Sequence, residues 1–156
     1  MPRSNRRLLV RIGAILAVAA LVVVTALYMI GSPREQEPTA AEAGETLKKD
    51  ILKLLEEVRA RNIQVTDPGG KDVPCGNDEV KRTFAATGLD SAPEREPSTL
   101  NYIMIGAMDR VADYALTDVL DEPIRMENES TKTAILLKST DGTYSVQGET
   151  ECLSRS

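Results

Sequence analysis

From Ile12 to Pro33 the chain runs for 22 residues without a charge, IGAILAVAALVVVTALYMIGSP. A helix crossing a bilayer needs about 20 apolar residues, because each adds about 1.5 Å toward a hydrocarbon core about 30 Å thick. A helix buried in a water-soluble core would carry a polar face, and this run has none. It is therefore withdrawn from any soluble core, as a membrane span or a signal peptide. The rest of the 156 residues leaves room for one ordinary domain.

The flanks orient the run. Arg3, Arg6, Arg7 and Arg11 precede it with no acidic residue, and all 24 acids stand at Glu35 or beyond. The positive-inside rule makes residues 1–11 a cytoplasmic tail and residues 12–31 a transmembrane anchor, with everything after them outside. Setting those four arginines aside from the 19 basic residues leaves 15 against 24 acids, a net charge of −9 on the exported part. Such a surface lacks the clustered positive charge that nucleic acid requires, so no nucleic-acid partner is expected. A signal peptide has an apolar region of about 7–15 residues and an A-x-A-like site. Val24-Thr25-Ala26 offers such a site, but the run continues through Leu27, Tyr28, Met29 and Ile30. That length favours retention over release as a secreted protein. No cysteine stands near the span, which excludes a lipid-modified N-terminal cysteine.

Residues 32–44, SPREQEPTAAEAG, are polar, hold two prolines and show no apolar period, so they read as a flexible linker. Residues 45–156 then form the extracytoplasmic domain. In ETLKKDILKLLEEVRARN, Leu47, Ile51, Leu54, Leu55 and Val58 line one helical face. Its polar side mixes Lys48, Lys49, Lys53, Glu56, Glu57 and Arg59. That favours a helix covering a sheet over a basic helix lying on a membrane. Ile63 to Thr66 reads as a short strand stopped by DPGG, and EVKRTFAATGL as one strand. Ser98 is the expected N-cap of a second helix, TLNYIMIGAMDRVADY, ending near Tyr114. Three strands follow in PIRMENE, KTAILLKS and TYSVQGET. The last two are joined at Asp141-Gly142, a hairpin pair whose preferred turn places both residues at positive φ. The expected class is α+β: after the transmembrane helix, two helices packed on a mainly antiparallel sheet with a C-terminal hairpin.

The chain has two cysteines and no histidine. A zinc site needs about four ligands, usually Cys or His, so none closes here. A reactive thiolate needs a cationic neighbourhood, whereas Cys152 is flanked by Glu149 and Glu151, and Cys75 is followed by Asp78 and Glu79. An even cysteine count in an exported domain is the ordinary pattern of a disulfide. Cys75–Cys152 is the expected bond, pinning the last strand beside the start of the Phe84 strand. The rival is an intermolecular pair.

Catalytic patterns are missing. Without histidine there is no Ser-His-Asp triad, and neither a phosphate loop nor a G-x-G-x-x-G is present. Asp109, Asp113, Asp118, Asp121 and Glu122 are the densest run of carboxylates, read as a solvated helix face over a cation or acid/base site. Asn128-Glu129-Ser130 matches a glycosylation acceptor, a pattern frequent by chance. Tyr102, Tyr114 and Tyr144 read as packing residues over a binding surface. No catalytic residue, cofactor or metal ligand is assigned, and the chain is not expected to be an enzyme.

The anchor, VPCGNDEVKRTFAATG and the ending GETECL together resemble small anchored or lipid-modified envelope proteins of actinobacteria. These carry a Cys early in the domain and a Gly-x-Thr-x-Cys ending. The resemblance covers roughly residues 47–153. It implies no catalytic residues, and this chain departs from the lipidated members in lacking their anchoring cysteine. The expected function is a single-pass, membrane-anchored binding or accessory module of the cell envelope. Its partners are the bilayer, through the N-terminal helix, and an envelope protein. Rival readings are a small enzyme using carboxylate, Lys, Ser or Tyr chemistry, and a signalling subunit relying on a partner within the membrane.

Overall fold

The computed structural model describes residues 37–118 and 123–155. The expected cytoplasmic tail and transmembrane anchor, residues 1–31, lie outside them. Among the described residues no helix is long and apolar enough to cross a membrane.

Helix α1 spans Ala40–Glu57. It begins earlier than expected, because the linker's last residues carry a capping box. Thr39 Oγ1 accepts from Glu42 N–H (3.3 Å), and Glu42 Oε2 accepts from Thr39 N–H (2.9 Å). Ala40 and Ala43 are thereby buried helix residues, so the linker is shorter than residues 32–44. The expected apolar face, Leu47, Ile51, Leu54 and Leu55, is fully buried. The helix closes at Val58 in a Schellman motif, with Ala60 N–H on Leu55 O and Arg59 N–H on Glu56 O, both 2.9 Å. Arg59 takes φ 56° there.

The strands are β1 (Arg61–Asp67), β2 (Val73–Gly76), β3 (Glu79–Lys81), β4 (Thr83–Leu89), β5 (Ala115–Asp118), β6 (Ile124–Asn128), β7 (Thr133–Leu137) and β8 (Thr143–Thr150). Six of them form an antiparallel sheet in the order β1-β4-β8-β7-β6-β5, and β2 and β3 form a separate hairpin. The expected single strand over EVKRTFAATGL is thus two, broken at Arg82. The last strand lies beside the Phe84 strand as expected, with Thr83 opposite Glu149 and Leu89 opposite Thr143. Helix α2 (Pro97–Met108) differs from expectation at both ends. Its N-cap is Glu96, with Pro97 fixing φ at the first helical position, and Ser98 lies inside it. It stops at Met108, and the expected last turn instead leads into β5, a strand the sequence pattern missed.

Alternation sets the two faces of the sheet. Phe84 and Ala86, Tyr144 and Val146, Ile135 and Leu137, and Ile124 and Met126 point to the helices and form one core with them. At Gly148 the helix comes so close that an added Cβ would stand 2.5 Å from Leu47 Cδ1 and 2.9 Å from the Ala134 carbonyl oxygen. The β7–β8 hairpin turns at Asp141-Gly142, but only Gly142 has positive φ (61°). The turn with both central residues at positive φ occurs instead in the β2–β3 hairpin, at Asn77 (51°) and Asp78 (62°).

Candidate functional site

The most distinctive surface lies where β2–β3, the end of β8 and the N-terminus of α1 meet. Cys75 and Cys152 are bonded there, with Cα atoms 5.9 Å apart and 77 residues between them in sequence. Cys75 occupies the irregularity in the hairpin, since Pro74 pairs with Val80 but Gly76 pairs with Glu79. The extra residue of such a bulge is free of the ladder, which turns the Cys75 side chain to its partner. Beyond Cys152 the chain continues as a partner of β3: Val80 and Leu153 exchange both backbone hydrogen bonds at 2.9 Å.

Beside the bond, on the sheet face away from the helices, is a depression of about 190 Å³ lined by Lys81, Arg125, Glu127, Glu149, Glu151 and Cys152 among others. Glu149 Oε2 meets Lys81 Nζ at 2.7 Å, and its Oε1 lies 3.6 Å from Arg125 Nη1. Arg125 also holds Glu127 Oε1 at 2.6 Å. The Lys81 hydrogen bond is the main reason that the Glu149 carboxyl sits below its usual range, with Arg125 adding to it. An ionised, doubly paired carboxylate has no proton to donate near neutral pH. Its lowered pKa also makes it a weak base.

Two buried carboxylates escaped the sequence reading. Asp50 is 5% exposed and accepts from the Tyr114 hydroxyl (3.3 Å), which also meets Thr133 Oγ1 (2.7 Å). Burial pushes the Asp50 carboxyl up, against the opposing effects of Tyr114, Lys49 and Lys53. Its position was readable, because it falls one turn from Leu47 and Leu54 on the apolar face of α1. Asp90, 4% exposed, organises the loop before α2. Burial pushes its carboxyl up, but hydrogen bonds from Ala92 N–H, the Tyr144 hydroxyl and Ser91 N–H, with the Arg95 charge, outweigh that and hold it below the usual range. Burial and the Asp90 hydrogen bond in turn push Tyr144 up to about 12. Nothing in the local pattern LDSAPERE marks Asp90 as buried.

The expected candidates fall as follows. Asp109, the C-cap of α2, and Asp113, in the segment that leads to β5, are exposed, Asp118 ends β5, and Asp121 and Glu122 lie outside the described residues. No group of three or more His, Cys, Asp or Glu among the described residues is placed to hold a metal ion. Asn128 is buried, and its side-chain oxygen accepts from Ser130 N–H (3.1 Å) and Ser130 Oγ (2.7 Å). It is therefore enclosed in its own turn and is not a displayed glycosylation acceptor. Tyr114 and Tyr144 are core residues as expected, whereas Tyr102 is 63% exposed.

The fold is similar to that of a DUF4853 family protein from Actinomyces odontolyticus ATCC 17982, known from a crystal structure at 2.65 Å resolution. The TM-score is 0.50 at 9% identity, over 76% of this chain and 68% of that one. At that identity the likeness is one of fold, and it lies, like the resemblance drawn from the sequence, with an actinobacterial protein. No family model matches the chain, and no curated protein does.

Proposed function

We propose that the chain is a single-pass membrane protein, cytoplasmic at its N-terminus, that displays a disulfide-closed α+β domain as a non-catalytic binding or accessory module of the cell envelope. The observation that carries the reading is the Cys75–Cys152 bond. Structural disulfides form and persist in oxidising compartments, and the uncharged run of residues 12–31, with arginines on its N-terminal side, supplies a route to one. The paired charges around the depression favour contact with a partner over chemistry. Asp50 has the raised pKa that an enzyme would use, but it is enclosed between Tyr114 and the core and does not line the depression.

The test is co-purification from membranes extracted in mild detergent, with and without prior cross-linking. An accessory module should recover the same envelope protein reproducibly, and Lys81→Glu with Arg125→Glu should weaken that recovery. Recovery of the chain alone under both conditions would refute the accessory reading.

A further inference from the structure

The disulfide closes an annex and not the core. The β2–β3 hairpin stands outside the six-stranded sheet, and all four residues of β2 are exposed. Residues beyond Cys152 also lie outside that sheet. Besides the disulfide they are held by the Val80–Leu153 hydrogen bonds, by Ser154 O accepting from Ala40 N–H (2.8 Å) at the start of α1, and by the long Arg155–Asp72 ion pair (4.0 Å). Between these pieces lies a small apolar cluster, Ala40, Ala43, Val80 and Leu153, distinct from the main core. Both cysteines are themselves exposed. A surface bond thus fastens a strap over the first turn of α1, where the chain arrives from residues 12–31, while the large core between sheet and helices is continuous without it.

We propose that Cys75–Cys152 is a site of thiol–disulfide exchange with a protein dithiol, and that its reduction releases this strap without unfolding the domain. One thiolate of the dithiol attacks a sulfur of the pair, forming a mixed disulfide and expelling the other sulfur, whose carboxylate neighbours favour its prompt protonation to the thiol over a lasting thiolate. The second thiol of the dithiol then displaces the remaining sulfur. The dithiol leaves oxidised to its own disulfide, and its two electrons and two protons reside on the Cys75 and Cys152 thiols. Once the bond is open, the buried apolar contacts of the annex are those of two alanines, a valine and a leucine, beside the Val80–Leu153 and Ala40–Ser154 backbone bonds and the surface ion pairs Lys81–Glu149 and Arg82–Asp72. Segments with few buried apolar contacts are those that open locally. Release uncovers that cluster and frees the Ala40 N–H at the helix N-terminus. The inference rests on the bond and its surroundings, and stands whether or not the chain is an accessory module.

The test uses the full chain in detergent micelles, treated with a thioredoxin-type dithiol protein or with dithiothreitol, followed by alkylation and hydrogen-exchange mass spectrometry. Both reagents should yield two alkylated thiols without denaturant. Protection should be lost in residues 38–44, 73–81 and 152–155 and kept in β4, β7 and β8. The double variant Cys75→Ser/Cys152→Ser should show the same pattern with no reductant. Reduction by dithiothreitol but not by the protein dithiol, reduction only in denaturant, loss of protection throughout the sheet, or unchanged protection everywhere would each overturn the proposal.

Discussion

Replacing Gly148 by alanine is expected to destabilise the domain, although alanine is the better residue for a strand. Gly148 does not have a positive φ, so its backbone is open to any residue. A strand-interior glycine sacrifices about 0.5–1 kcal/mol relative to alanine. Opposing that gain, the new methyl would lie 2.5 Å from Leu47 Cδ1, 3.0 Å from Ile51 Cδ1 and 2.9 Å from the Ala134 carbonyl oxygen. Comfortable carbon contacts are about 3.5–4.0 Å. The Leu47 and Ile51 tips can rotate, but the Ala134 carbonyl belongs to β7, locked against β8 by regular pairing from Thr133 to Leu137. Overpacking of this kind costs about 1–3 kcal/mol, so after the strand gain of about 0.5–1 kcal/mol a net loss centred on about 1 kcal/mol, and at most about 2.5 kcal/mol, is expected. Urea unfolding of the full chain followed by far-UV circular dichroism measures it. In a Leu47→Ala background, itself costing about 2–5 kcal/mol, the increment from Gly148→Ala should shrink by the share that displacing the Leu47 tip costs, the clash with the Ala134 carbonyl remaining. A neutral or stabilising Gly148→Ala, or strict additivity of the two changes, would mean that α1 does not rest on β8 at this point.

Three further outcomes are expected. Arg59→Gly should stabilise by about 0.5–1 kcal/mol in the same assay, since Arg59 is exposed and holds a left-handed backbone at the helix terminus. Asp50→Asn should stabilise at neutral pH. The folded-state pKa of Asp50 is raised, so its contribution is full below its unfolded value and is lost as pH rises through the folded one. The advantage of the variant should therefore vanish in acid, and an advantage that persists unchanged there would refute the cause given. Replacing Cys75 and Cys152 together by alanine should lower unfolding stability by about 2–4 kcal/mol while preserving the far-UV spectrum.

Periodicity made α1 legible, because Leu47, Ile51, Leu54 and Leu55 recur on one face and the capping box lay in plain sequence at Thr39 and Glu42. Treating Thr39-Ala40-Ala41-Glu42 as linker overlooked that box. The β6, β7 and β8 segments were equally legible from alternation. Strand β5 was not: Asp113-Tyr114-Ala115-Leu116 carries neither a glycine nor a proline, so nothing local separates it from the preceding helix. The turn at Asn77-Asp78 was obscured because β2 and β3 are too short to show a period. Of the strand order, the Asp141-Gly142 turn gave the β7–β8 pairing and the cysteines placed β8 beside β4. At the candidate site, the cysteines were evident as a pair. The salt-bridged cluster of Lys81, Arg125 and Glu149 was not, because it joins three strands far apart in sequence.

The central claim, that this domain lies outside the cytoplasmic membrane with its two cysteines bonded, is tested most directly by a topology reporter fused after Ser156. A reporter that folds only after export should be active and one that works only in the cytoplasm silent, with the protein recovered in membranes and free of alkylatable thiols. Activity of the cytoplasmic reporter, together with two readily alkylated thiols, would contradict both the orientation and the compartment.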